Sequence, residues 1–177
     1  GRRSLAPAAK LRADPWPVAD VRRLRRHPCH LRRQPGADGQ RIHIEDFAQV
    51  YNIFPEKKYE GVSFTNIAGM VWTLTGEEGL REFVRRLSYT ILTGNGDMHL
   101  KNWSFMYRDS RMPALSPAYD MVSTVPYIPN DRLALTFVDT KDMKRCNVRL
   151  FEKLTEKAGL PKKLVLDAAR ETAGKTR

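Results

Sequence analysis

At about residue 40 the chain changes character, and the change limits where a hydrophobic core can form. Residues 1–40 hold ten of the 31 Lys and Arg, five of the 11 prolines and a single aromatic residue, Trp16, of sixteen. A stretch this poor in aromatics and this rich in Arg and Pro, as in Arg22-Arg23-Leu24-Arg25-Arg26, buries too little apolar surface to offset its ordering entropy. We read residues 1–40 as an Arg/Pro-rich disordered or frame-shifted segment with a short helix near 18–26, in which Leu31-Arg32-Arg33-Gln34-Pro35 breaks any strand. The core has to come from residues 41–177.

Charge divides in the same way. The chain carries a formal +11, but against Asp14, Asp20 and Asp38 the first 40 residues account for +7, leaving +4 for the other 137. The polyanionic partner that the total suggests thus concerns one arm, and a basic nucleic-acid-binding or interaction protein using that arm is the rival reading for the whole chain. No apolar run approaches the roughly 18–20 residues of a membrane span. Cys29 and Cys146 stand far apart with no CxxC pair, so neither a disulfide framework nor a zinc ribbon is expected, and a reducing cytoplasm fits.

From residue 41 onward, periodicity predicts helices. Ile44, Phe47, Val50 and Tyr51 recur at helical spacing with Glu45 and Asp46 in a favourable first turn. Ser63 can cap a second helix bearing Ile67, Met70, Val71 and Leu74, and Thr75 precedes a third with Leu80, Phe83, Val84, Leu87 and Ile91 on one stripe. After Gly94 the texture turns to a strand, with Trp103, Phe105 and Tyr107 alternating with Ser104 and Met106. A turn at Arg108-Asp109-Ser110-Arg111 and a return strand over 112–116 follow. Helices are expected near 149–158 and 161–173, Pro161 suiting a first helical turn.

The chemistry gathers in Gly94-Asn95-Gly96-Asp97-Met98-His99-Leu100-Lys101-Asn102, a loop between a buried helix and a strand. Hairpin geometry returns the chain beside Asn102 at about Pro117, so Asn102 and Asp120 should be neighbours. An amide oxygen beside a carboxylate is a hard-oxygen site suited to Mg²⁺ with phosphate oxygens. Asp97, five residues before Asn102, could then orient a hydroxyl and accept its proton. An Asp base, an Asn five residues on and a second Asp after a hairpin is the order of the catalytic half of a protein kinase, although the usual spellings His-Arg-Asp and Asp-Phe-Gly are absent. An Asp97–His99 metal pair of a phosphohydrolase lacks a second His/Asp cluster, and Gly174-Lys175-Thr176 lacks the first glycine of a phosphate-binding loop.

With these residues in view, the sequence resembles the HipA-type serine/threonine kinase toxins of bacterial toxin–antitoxin modules. The matching words are His43-Ile44-Glu45-Asp46-Phe47-Ala48-Gln49, Pro55-Glu56-Lys57-Lys58-Tyr59-Glu60, the loop from Gly94 to Ser104, and Leu115-Ser116-Pro117-Ala118-Tyr119-Asp120. The resemblance implies Asp97 as catalytic base, Asn102 and Asp120 as Mg²⁺ ligands, and His99, Lys101 and Tyr119, with the two metal ligands, near the nucleotide. It implies ATP as substrate, a protein substrate such as an aminoacyl-tRNA synthetase, and a HipB-like DNA-binding antitoxin as partner. The fold expected is mainly α, a protein-kinase-like helical C-lobe over residues 41–177 with a small β-hairpin carrying the metal-site residues at its base. Residues 1–40 show none of the family's N-lobe features, so the expectation is a C-terminal fragment, without the ATP-binding N-lobe and inactive by itself.

Overall fold

The computed structural model describes residues 33–35, 41–108 and 112–176. Its elements are β1 (Arg33–Pro35), β2 (Arg41–Asp46), α1 (Phe47–Val50), α2 (Phe64–Thr93), β3 (Ser104–Tyr107), β4 (Pro113–Leu115), α3 (Val148–Ala158) and α4 (Lys162–Lys175). The strands form one antiparallel sheet in the order β1-β2-β3-β4.

Two expectations are corrected by the sheet. Residues 41–46, read above as leading into a helix, form β2, with Ile44 opposite Met106 and Asp46 opposite Ser104. Helix begins only at Phe47, because Asp46 caps it: the Asp46 carboxylate accepts from the Gln49 N–H while the Gln49 side chain accepts from the Asp46 N–H, a capping box. Glu45 then lies along the sheet and accepts a 2.9 Å hydrogen bond from the Tyr107 hydroxyl. The second correction concerns Arg33–Pro35, which pairs with β2 as an edge strand. An edge tolerates proline because only one neighbour draws on its backbone. The rest of the reading of residues 1–40, including the helix near 18–26, lies outside the described residues.

The helical expectations hold more closely. Ser63 caps α2 reciprocally with Asn66. The two predicted helices follow one another along the 30 residues of α2 and meet at a kink, where Gly76 takes φ 66° and ψ −150°. Each half turns its apolar stripe inward: Phe64, Ile67 and Val71 in the first, Leu80, Phe83, Val84 and Leu87 in the second. Pro161 stands at the N-cap of α4, just outside its first turn.

These faces meet around Trp103, the last residue before β3. Its indole is 1% exposed and sits within 5.0–6.4 Å, centroid to centroid, of Phe83, Phe64 and Phe47. Leu150 and Leu154 of α3 and Leu164, Val165 and Ala168 of α4 extend the same cluster. Burying Trp103 here fixes the exit of the 94–102 loop against the core, so the loop's polar residues have a rigid base. Although the strand alternates in sequence, Ser104 and Met106 are buried as well as Phe105, and the segment after β4 covers Ser104 through the Tyr119 hydroxyl and the Ser116 N–H.

Candidate functional site

The loop leaves α2 through Gly94, whose φ of 67° ends the helix in the left-handed region that glycine enters without a Cβ penalty. Its carbonyl accepts from the N–H groups of Thr124 and Val125 at 3.0 and 3.2 Å. Two residues on, the Gly96 N–H donates to the Thr124 hydroxyl at 2.8 Å, and that hydroxyl also bonds the Asp131 carboxylate. A Cβ on Gly96 would fall 2.1 Å from Asp131 Oδ2, so this close approach needs glycine. Thr124 thereby ties the segment after Asp120 to the loop before Asp97.

Asp97 is held through its main chain. Its N–H donates to Asn95 Oδ1 at 3.0 Å, and its carbonyl accepts from the His99 N–H at 2.7 Å and from Asn102 Nδ2 at 3.1 Å. The side chain is 54% exposed, and its Oδ1 accepts a 2.6 Å hydrogen bond from the Tyr59 hydroxyl. Burial, and then the Asp97 carboxylate, push the Tyr59 phenol up to about 12, so it stays a neutral donor at ordinary pH. His99 is buried beneath it, its ring edge-on to Tyr59 at 5.1 Å and its Nε2 4.0 Å from Asp97 Oδ1. Burial, with the Lys58 ammonium adding to it, lowers the His99 pKa against the pull of Asp97 and Asp120. The imidazole is therefore neutral at neutral pH, and its buried Nδ1 has no hydrogen-bond partner among the described residues.

Asn102 and Asp120 come together as the hairpin arithmetic predicts, Asn102 Nδ2 donating to Asp120 Oδ2 at 2.7 Å. Asp120 itself takes φ 57°, and its carbonyl accepts from Asn95 Nδ2 at 3.3 Å. Both amide hydrogens of Asn102 are thus used on Asp97 and Asp120, which leaves its oxygen as the end available to a ligand. An amide oxygen next to an exposed carboxylate is a donor set that fits a hard divalent cation. Lys101 and Tyr119 meet through the Lys101 carbonyl, which accepts from the Tyr119 hydroxyl at 2.9 Å, with Ser104 Oγ 2.5 Å from the same hydroxyl. All six residues singled out from the sequence lie on this loop and the return of the hairpin.

Tyr59 and Asn95 were given no role from the sequence, although both stand inside the matching words. Asn95 bridges the two acidic residues, its oxygen on the Asp97 N–H and its amide on the Asp120 carbonyl. An Asn-Gly-Asp run signals only a turn. Tyr59 reaches Asp97 across 38 residues, a separation that no periodicity encodes.

The comparisons with known proteins agree on one family. Residues 4–177 match the family described as HipA-like C-terminal domain. A Sinorhizobium fredii protein named "Putative kinase Y4dM" is 49% identical over 137 residues, covering 77% of this chain and 34% of that protein. The Shewanella oneidensis serine/threonine-protein kinase toxin HipA is 28% identical over 142 residues, covering 71% of this chain and 33% of that protein. The solved structure of a Shewanella oneidensis complex of HipA, HipB and operator DNA contains a chain that superposes with a TM-score of 0.68 at 25% identity, over 81% of this chain and 38% of that one. The chain spans about a third of the length of these relatives. With residues 4–177 matched to that family, the chain belongs to the HipA-like C-terminal domain family.

Proposed function

We propose that this chain is the catalytic portion of a HipA-like serine/threonine kinase toxin, transferring the γ-phosphoryl group of ATP to a protein hydroxyl. The observation that carries the reading is the cluster in which Asn102 joins Asp120 through its side chain and Asp97 through the Asp97 carbonyl. Asn102 Oδ1 and the Asp120 carboxylate would hold Mg²⁺, which when bound neutralises charge on the phosphate oxygens. Asp97 orients the acceptor hydroxyl by hydrogen bonding. As the acceptor oxygen forms its bond to the γ-phosphorus and the bond to the ADP oxygen breaks, the acceptor proton passes to the Asp97 carboxylate. His99 packs beneath Asp97, and Lys101 and Tyr119 flank the surface where the nucleotide phosphates would lie.

We assign these residues the metal- and acceptor-holding half of the reaction and no grip on adenine, so the chain alone is expected to turn over slowly or not at all. The solved neighbour was captured with HipB and operator DNA, which supports a HipB-like DNA-binding antitoxin as partner. The acceptor is a protein serine or threonine, an aminoacyl-tRNA synthetase being the kind of substrate the family suggests, and the cytoplasm is where such a reaction would find both ATP and target. Among the described residues no helix is long and apolar enough to cross a membrane.

A thermal melt with and without millimolar Mg²⁺ and ATP tests the reading. At 100-fold excess over its dissociation constant a ligand adds about 2.7 kcal/mol, several degrees for a domain of this size. The shift should vanish in Asp120→Ala and persist in Asp97→Asn. A cooperative melt that ignores Mg·ATP would refute a working nucleotide site.

A further inference from the structure

Asp97 has a fixed backbone and an unfixed side chain, except at one point. Its N–H and carbonyl are engaged by Asn95, His99 and Asn102. The carboxylate stands out into solvent, 54% exposed, and solvent imposes no direction on it. Among the described residues the one hydrogen bond it receives is the 2.6 Å contact from Tyr59, a charge-assisted bond of the short, strong kind. Tyr59 is itself braced: its ring meets His99 at 5.1 Å and 77°, the Lys58 ammonium lies 4.9 Å from its centroid, and the Lys58 carbonyl accepts from the Leu100 N–H at 3.3 Å. Residues 58 and 59 therefore meet the loop at Asp97, His99 and Leu100.

We propose that Tyr59 is a positioning residue for phosphoryl transfer, holding one oxygen of the Asp97 carboxylate so that the other faces the incoming acceptor hydroxyl. This rests on the reading of Asp97 as the acceptor-orienting base. Phosphoryl transfer through a loose transition state depends more on alignment than on the strength of the base, so fixing the carboxylate's rotation acts where catalysis is most sensitive.

Tyr59→Phe keeps the ring against His99 and Lys58 and removes only the hydroxyl. In the full chain carrying ¹³C at aspartate Cγ, the Asp97 resonance, identified by its loss in Asp97→Asn, should move in Tyr59→Phe while that of Asp120 stays. In transfer to a serine-bearing protein, kcat should fall about tenfold, a part of the ~10²-fold that a 1 Å misplacement costs, with KM for ATP and the Mg·ATP melting shift retained. An unmoved Asp97 resonance overturns the proposal. So does a moved resonance with unchanged kcat, which would make the contact purely structural. For a chain that binds Mg·ATP without turnover, the mobility of the Asp97 carboxyl decides: its ¹³C relaxation should show freer rotation in Tyr59→Phe, and unchanged rotation overturns the proposal. A wild-type chain with neither melting shift nor transfer overturns the kinase reading and this role with it, and that result is visible before any Tyr59 variant is made.

Discussion

His99 shows how a single buried ring links the site to stability. It is 5% exposed, and the groups facing it are Lys58, Tyr59, Asp97 and Asp120. Burial and then Lys58 hold its folded pKa below the ordinary 6.5, so the unfolded chain binds the proton more readily. Stability from this residue is complete above about pH 6.5, declines as pH falls from there to the depressed folded value, and levels off beneath it. Urea melts between about pH 5 and 8 should show this slope in the wild type and a flatter profile in His99→Gln; equal slopes would mean that other groups govern the acid limb. The same neighbourhood marks what single residues disclose. Asn102 and Asp120 could be paired from the sequence because a hairpin converts spacing into proximity. Tyr59 could not, because its bond to Asp97 exists only once two distant segments have packed.

Elements were legible wherever one physical signal dominated. Ser63 with Asn66, and the stripes from Phe64 to Leu87, announce α2 by capping and by period. The 41–46 segment misled because Ile44, Phe47 and Val50 fit a helical stripe, whereas pairing with β3 outweighed that pattern and left Asp46 as the boundary. The break in α2 gives a paired test of backbone energetics. Gly69 and Gly76 both have open space where a Cβ would go, so the difference between them lies in conformation alone. Gly69 lies in regular helix, and Gly69→Ala should stabilise by roughly 0.5–1 kcal/mol through reduced backbone entropy. Gly76, at φ 66° and ψ −150°, occupies a region that other residues rarely enter, and Gly76→Ala should destabilise by about 1–3 kcal/mol. Chemical denaturation of the two variants side by side checks both signs, and a neutral Gly76→Ala would show that the two halves can join as one straight rod.

At the scale of the molecule, one cluster runs from Phe47 through Trp103 to Leu154 and Val165, so the loop bearing Asp97 and the helices α3 and α4 share a core. Leu154, fully buried on α3, is far along the chain from the site. Leu154→Ala should cost about 2–5 kcal/mol and raise amide exchange around residues 94–103 as much as within α3. Exchange raised in α3 alone would divide the chain into separate cooperative units. The contact through which Thr124 holds Gly94 and Gly96 has a further consequence. It uses backbone groups, the Thr124 hydroxyl and the Asp131 carboxylate, while Val122, Tyr127 and Ile128 nearby point their apolar side chains outward, 52–82% exposed. The outward side chains can therefore be exchanged without touching the stitch beneath them, so the surface of this segment and the placement of the acidic residues are separable properties of one stretch of chain.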